Sequence, residues 1–512
     1  MKKRPNILLI MTDEQRFDAV GYRNPEVHTP NLDRLAQESV RFTNAYATNP
    51  SCIPARAAIF TGRYPSQCGA PTYMTPLPKN EVTFMSLLRA GGYHTAVVGK
   101  QHFWRYEGDK GYDWADIIDE HFPPEVISKE LDESEFGLPQ NLTVSDRVSS
   151  YVEFLADSGF TRGDQLYRRF SDKGIYEFFA DERYYVDGYV GDRGLQWLRQ
   201  DCPKNTPWFL TLSFPGPHMP FDGIGLPDAA QYRGEELALP DSSAADLLGK
   251  PPHYLDILKK FGQVKLGDPR RPGGLTPQEI RSMKLAYYAD ITLIDRKIGA
   301  VLELLKEKGL YDDTLILFTS DHGDFMGDFG VATKAQYLAE ALVRIPFLLK
   351  PPVAGYPGRT EASFVSSVEI AATCLTAAGL AVPANMQQRS LTDFYTHPRP
   401  ERWSEVYFEA RDLRGLRGER YKLVYYAGRQ YGEFYDLQAD PGERYNLWEA
   451  PQVQAEKRRL LDRLLDRMIS LGEYVQTEWH PTAPPRSEVK NKNYPPVCKN
   501  PCVFRGGMGC YT

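Results

Sequence analysis

The run Ser51-Cys52-Ile53-Pro54-Ala55-Arg56 places a thiol two residues before a proline and four before an arginine. Proline suits the opening of a helix, so Cys52 would sit at a positive helix end where anions bind. Elsewhere four short apolar runs stop abruptly at ionisable residues. Pro5–Thr12 leads into Asp13-Glu14-Gln15, and His94–Gly99 into Lys100-Gln101-His102. Trp208–Phe214 is followed by Pro217-His218, and Thr314–Thr319 by Ser320-Asp321-His322-Gly323-Asp324. Carboxylates with imidazole can hold a divalent cation, lysine and arginine can neutralise an anion, and histidine can move protons. Each residue alone has a duller reading. A free cysteine is commonly a small buried thiol, and an aspartate after a strand is a turn residue.

The elements that must position these residues follow from the same pattern. Continuous rather than alternating apolar runs fit central strands covered on both faces by helices. Short amphipathic helices are expected over Pro30–Ser39 and Thr83–Ala90. The longest opens at the capping box Thr276-Pro277-Gln278-Glu279. It continues through Tyr287, Ile291, Ile294, Ile298, Val301 and Leu305 to a stop at Gly309. Alternating strands and helices give an α/β fold with a mostly parallel central sheet. Sites in such sheets lie beyond the carboxyl ends of the strands, so all four runs would deliver their ionisable residues to one edge.

From about residue 395 the texture changes. Trp403–Ala410, Tyr421–Tyr426 and Glu433–Leu437 read as a small antiparallel sheet, and Ala455–Leu471 as an amphipathic helix. The chain therefore divides into a catalytic part, 1–394, and a smaller α+β part, 395–512. The first carries a long aromatic, acidic insert from Phe103 to Asn205.

Composition is that of an ordinary folded protein, with 42% hydrophobic and 25% charged residues over 512 positions. A net charge of −6 gives no reason to expect nucleic acid or an anionic membrane as partner. An anionic substrate would need a local cluster of cations. The basic start Met1-Lys2-Lys3-Arg4 precedes only five apolar residues, Ile7 to Met11, too few for a secretion signal. No apolar stretch reaches membrane-spanning length, so a cytoplasmic location is expected. Seven cysteines are sparse for this length, which argues against a disulfide scaffold. Cys498, Cys502 and Cys510 fit no common zinc spacing and read as reduced thiols. They lie on an extended arm, Asn491–Thr512, expected to pack over the main domain or a neighbouring subunit of a homo-oligomer.

Taken with these landmarks, the chain resembles the type I sulfatases of the alkaline-phosphatase superfamily. The likeness rests on Cys52-x-Pro54-x-Arg56, Thr29-Pro30-Asn31-Leu32-Asp33-Arg34-Leu35-Ala36 and Phe60-Thr61-Gly62-Arg63-Tyr64-Pro65. It extends to Gly99-Lys100-Gln101-His102, Pro217-His218-Met219-Pro220 and Ser320-Asp321-His322-Gly323, and to Tyr435-Asp436-Leu437 with Asp440-Pro441-Gly442-Glu443. The resemblance implies an alkaline-phosphatase-like fold and oxidation of Cys52 to formylglycine by a maturation enzyme. The aldehyde hydrate would attack sulfur and expel the alcohol; its second hydroxyl would then lose a proton and eject sulfate. Asp13, Glu14, Asp321, His322 and residue 52 would hold one divalent metal. Ca²⁺ is expected first, Mg²⁺ or Mn²⁺ next, because oxygen donors favour the hard ions and an imidazole leans toward Mn²⁺. By the same resemblance Arg56 would orient the hydrate, and Lys100 and Lys334 would contact the sulfate or the nucleophile. His102 would assist sulfate elimination, and His218 would stand near the leaving oxygen as general acid. The commonest pattern of the family has Asp and Asn where this chain has Glu14 and His322.

Aromatic faces beside polar groups suit sugar rings, and the insert carries Trp104, Tyr106, Tyr112, Trp114, Phe122 and Tyr151. A carbohydrate sulfate ester is therefore favoured over a small aryl or alkyl sulfate. Asp222 reads as a turn residue or as a partner for a sugar hydroxyl. A phosphonate monoester or phosphodiester hydrolase built on the same modified cysteine is the nearest rival reading. A phosphate-transferring enzyme with Thr or Ser as nucleophile is disfavoured by Cys52, and a catalytically silent carbohydrate-binding member by the presence of every expected site residue.

Overall fold

The computed structural model describes residues 4–103, 110–118, 150–160, 163–171, 174–255, 274–398 and 400–472. The arm Asn491–Thr512 and the insert residues Trp104, Tyr106 and Phe122 lie outside the described residues. The strands of the main body are β1 (Asn6–Thr12), β2 (Val40–Tyr46), β3 (His94–Gly99), β4 (Trp114–Ile117), β5 (Tyr167–Ser171), β6 (Ile175–Phe178), β7 (Trp208–Ser213), β8 (Phe221–Ile224), β9 (Thr314–Ser320), β10 (Phe347–Lys350) and β11 (Arg359–Ser366). Eight of them form one sheet in the order β11-β2-β10-β9-β1-β7-β3-β4. All neighbours run parallel except β10, which is antiparallel to β9 and β2. The four strands expected to end in chemistry are β9, β1, β7 and β3, side by side at the middle of the sheet.

Why the β1 run has no polar alternation is visible in its two faces. Leu8 and Ile10 pack with Val190 and Trp197 of the helix Val186–Gln200 and with Leu293 and Ile298 of the helix Pro277–Glu307. Ile7, Leu9 and Met11 pack on the other side with Phe60, Phe84 and Leu375. Thr276 caps the long helix as expected, accepting from the Glu279 backbone N–H while the Glu279 carboxylate accepts from Thr276 N. Within the insert, Tyr151 is a core residue, and the Tyr112 hydroxyl donates to Gln101 at 2.8 Å.

The smaller sheet has four antiparallel strands, β12 (Glu405–Ala410), β13 (Leu413–Gly418), β14 (Tyr421–Tyr426) and β15 (Glu433–Asp436). Sequence reading missed β13, because two glycines and two arginines in six residues are poor strand formers. Gly415 is required there: a Cβ would stand 2.1 Å from the Phe408 ring. A buried chain of charge ties this sheet to the main body, with Lys422 Nζ 3.3 Å from Glu340 and 2.7 Å from Glu443. Residues Met1–Arg467 form one compact unit. Among the described residues no helix is long and apolar enough to cross a membrane.

Three buried carboxyls meet where the two long helices approach β8. Asp187 Oδ1 accepts from Gly216 N at 2.9 Å, and Asp222 accepts from the Tyr185 hydroxyl at 2.5 Å. Asp222 thus belongs to a strand and faces inward, not to a turn. Gly216 is held between two acids, since a Cβ would lie 2.2 Å from Asp290 Oδ2 and 2.6 Å from Asp187 Oδ2. Burial pushes Asp222 up to about 7 and Asp187 up to about 8, and Asp290 moves the same way. The unfolded chain ionises these groups near pH ~4, while the folded protein keeps the Asp222 proton to about 7 and the Asp187 proton to about 8. Their contribution to stability is therefore complete below pH ~4 and is lost as pH rises toward ~8. Asp290→Asn should flatten that fall in urea-midpoint profiles; a slope identical to that of the parent would refute the assignment.

Candidate active site

Each strand end places its residue by a specific local device. Asp13 follows β1 directly, and its N–H donates to Gly216 O at 3.0 Å. Glu14 then adopts a left-handed φ of 65°, its N–H donating to Asp321 Oδ1 at 3.1 Å. Such a conformation in a non-glycine residue is stored strain and clusters at functional sites. His102, beyond β3, has the same feature with φ 59°. Cys52 is the first residue of the helix Cys52–Thr61, with Pro54 in its opening turn. The residue thus stands at the positive helix end, as the motif implied.

Arg56 organises the centre. Its Nε donates to Asp321 Oδ2 at 2.7 Å and its Nη2 to Asp13 Oδ2 at 3.1 Å. Nη1 donates to Lys100 O and Ser213 Oγ. Lys100 Nζ takes the same Asp13 Oδ2 at 2.8 Å. The Oδ1 atoms of Asp13 and Asp321 each stand 3.8 Å from His322 Nε2, which is 3.2 Å from Cys52 Sγ. Donor atoms of Asp13, Cys52, Asp321 and His322 all lie within 4.8 Å of one another, and all four residues are buried.

This donor set fits a divalent cation. His322 Nδ1 lies 3.0 Å from Gly323 O, so that nitrogen carries the proton and Nε2 turns its lone pair to the cluster. Glu14 does not join these four. Its Oε2 meets Lys334 Nζ at 2.6 Å and His218 Nε2 at 3.2 Å, beside Asp13 in a second group. Lys334 Nζ is also 2.5 Å from His218 Nε2, whose Nδ1 faces Met219 O at 2.5 Å. The structure therefore gathers nine of the ten residues singled out from the sequence into two adjoining clusters and their cations, with His102 beside them in electrostatic reach of Lys100 and Asp13.

The electrostatics follow from this crowding. Burial would raise Asp13, but Lys100, His218, Arg56 and Lys334 together hold it well below the usual carboxylate range. Burial and the neighbouring Asp324 push Glu14 up to about 8 against the pull of Lys334. Burial, then Lys100, drive His102 well below the ordinary imidazole value. Burial and Asp13 push the Cys52 thiol up to about 12, the reverse of the lowered value a nucleophilic cysteine needs.

Sequence reasoning missed several neighbours. Asp324 Oδ1 accepts from Met326 N and Thr333 N, shaping the loop that carries Lys334. Gln336 Nε2 donates to Ser51 Oγ beside residue 52. Tyr73, 45% exposed, stands edge-on to His102 at 5.7 Å. Asp324 was visible in the Ser-Asp-His-Gly-Asp run, whereas nothing in the sequence marks Tyr73 or Gln336.

Removing Arg56 should be costly, because an unpaired buried charge destabilises by about 3–5 kcal/mol. Arg56→Met is expected to lose that much in urea denaturation without metal, and to regain part of it when a divalent cation is added. A loss below ~1 kcal/mol would count against Arg56 as the counter-charge.

Comparison with known proteins agrees with this architecture. The sulfatase family profile matches residues 5–380, and the profile for the N-sulphoglucosamine sulphohydrolase C-terminal region matches 327–470. The multifunctional alkaline phosphatase superfamily protein PehA of Trinickia caryophylli is 30% identical, over 93% of this chain and 97% of that protein. An N-acetylglucosamine-6-O-sulfatase of Bacteroides thetaiotaomicron is 26% identical over 90% of this chain and 86% of its own length. The phosphonate monoester hydrolase of Agrobacterium radiobacter shares the fold, with a TM-score of 0.76 at 24% identity over 91% of this chain and 96% of that one. The protein described here belongs to the sulfatase family, hydrolases of sulfate esters.

Proposed function

We propose that this protein cleaves the sulfate ester of a carbohydrate, with residue 52 acting as a formylglycine rather than a cysteine. One observation carries the reading. Position 52 lies at a helix N-terminus, buried among the donor atoms of the cluster, 3.2 Å from His322 and 3.5 Å from Asp13. A maturation enzyme that oxidises Cys52 is the partner this requires. Asp13, Asp321, His322 and residue 52 would hold one divalent ion, Ca²⁺ foremost, and Glu14 stands next in line as a further ligand. When bound, the ion supplies positive charge at the nucleophile and at the sulfuryl oxygens.

The chain's own groups account for the remaining chemistry. Arg56 and Lys100 fix the Asp13 carboxylate from one side. Lys100 and Lys334 face the sulfuryl oxygens, where removal of one such donor costs roughly 3–4 kcal/mol in the transition state. His102, kept neutral, is suited to take a proton as sulfate is released. Protonation of the departing oxygen rests with His218 and Lys334, whose Nε2 and Nζ are 2.5 Å apart. The division into a catalytic part, 1–394, and a C-terminal part, 395–512, is part of the same proposal.

Carbohydrate is favoured by the saccharide sulfatase among the relatives and by the exposed Tyr73 ring beside His102. A second reading, a phosphonate monoester or phosphodiester hydrolase, draws on His322 after Asp321 and on the multifunctional relative. Parallel rates on an aryl sulfate and an aryl phosphonate separate the two: faster phosphonate turnover would displace the sulfatase reading. Mass spectrometry of the peptide around residue 52 should show the aldehyde, and an unmodified cysteine in active enzyme would sink the mechanism. Desulfation of defined sulfated sugars should show Tyr73→Ala raising KM by about tenfold with little change in kcat, the cost of about 1.4 kcal/mol of uniform binding. Unchanged KM would remove Tyr73 from the substrate's path.

A further inference from the structure

Lys334 reaches the site from an unusually strained loop. Between Asp324 and Lys334 the residues Met326, Gly327, Phe329, Gly330 and Thr333 all have left-handed φ, at 46°, 95°, 56°, 69° and 62°. The three non-glycine residues among them are strained, and such strain persists only where the surroundings over-determine it. Part of the restraint is internal: Asp324 Oδ1 accepts from Met326 N at 2.6 Å and from Thr333 N at 3.0 Å. Ser242 adds one bond, accepting from Phe329 N at 2.8 Å.

The largest external restraint comes from a residue that touches none of the proposed reacting groups. Arg16 Nη1 donates to Phe325 O at 2.8 Å and Asp324 O at 3.3 Å, and pairs with Asp328 Oδ2 at 2.7 Å. Its Nε and Nη2 are fixed in a fork on Asp18 at 2.8 and 2.9 Å. The guanidinium therefore cannot swing away without breaking bonds on both sides. Its own backbone is anchored to the other half of the site. Arg16 N donates to the Tyr287 hydroxyl at 2.9 Å, which donates to Glu14 O at 2.6 Å. Glu14 is in turn the carboxylate that receives Lys334 at 2.6 Å.

We propose that Arg16 is a positioning residue for Lys334, clamping the strained 324–333 loop against the Asp13–Glu14 turn so that the ammonium stays between Glu14 and His218. A planar fork with five fixed donors can bridge Asp18, Asp328 and two carbonyls at once, which a lysine cannot. The inference rests on the reading of Lys334 and His218 as acting at the leaving oxygen, and its test tells the two apart.

A misplaced proton donor matters most when the departing alcohol is a poor leaving group. Arg16→Lys should lower kcat on a sulfated sugar by about tenfold more than on 4-nitrophenyl sulfate, because small displacements at a reacting centre carry large rate penalties. KM should stay within about twofold, since substrate binding is left in place. Asp328→Asn, a milder change that decides the matter if Arg16→Lys fails to fold, should show the same pattern more weakly. The double variant should lose less than the product of the single losses, because both act on one clamp. Equal losses on both substrates, or none, in folded protein would mean a structural role only and overturn the proposal. Lys334→Ala serves as the reference. If it shows no greater loss on the sugar, the proposal falls through its premise and the fault lies with the functional reading, not the clamp.

Discussion

The guanidinium of Arg56, fully buried and shared between Asp13 and Asp321, is the interaction on which the rest of the site depends. Those two carboxylates arrive on β1 and β9, adjacent parallel strands in register from Asn6 against Thr314 to Thr12 against Ser320. Two acids at adjoining strand ends would repel in a medium where desolvation multiplies every charge. Arg56 makes their proximity tolerable and at the same time decides which oxygens remain available. It occupies one Oδ2 and shares the other with Lys100, so both Oδ1 atoms are left on the side of His322 and residue 52. The geometry of the donor cluster is thus a by-product of how its charge is balanced.

The same balance bears on the substrate. Arg56, Lys100 and Lys334 set three cations against Asp13, Glu14 and Asp321. A divalent ion bound among them leaves the site net positive, although the whole chain carries −6. Attraction for a sulfate monoester is therefore local and strengthened by the ion, not a property of the molecular surface.

Much of this was legible in the sequence because the central strands are buried on both faces, and such strands announce themselves as unbroken apolar runs. β3 matched its expected span, and β1, β7 and β9 did so to within a residue at one end. β2, with the alternating Val40-Arg41-Phe42-Thr43, and the four-residue β10 next to Pro346 gave weaker signals, and β13 with its glycines gave none. Site residues at strand ends were legible for the same reason as the strands. Lys334 was located only by its distance from Asp321, since its place depends on a loop held by its own Asp324 and by Arg16 and Ser242 from two other regions of the chain. Tyr73 could not be found at all: an exposed tyrosine on a turn has no pattern, and its meaning comes only from the histidine beside it.

The burial of position 52 reaches beyond catalysis to biogenesis. Cys52, Pro54 and Arg56 are enclosed within the helix Cys52–Thr61, and Arg56 is locked into four hydrogen bonds. On the proposed reading of residue 52 as a formylglycine, the oxidising enzyme would have to hold this segment in its own cleft, which the finished fold forbids without unravelling the helix and parting Arg56 from both acids. Oxidation and closure of the fold would then compete along the life of one chain, and a molecule that folded first would keep its thiol sealed inside the site.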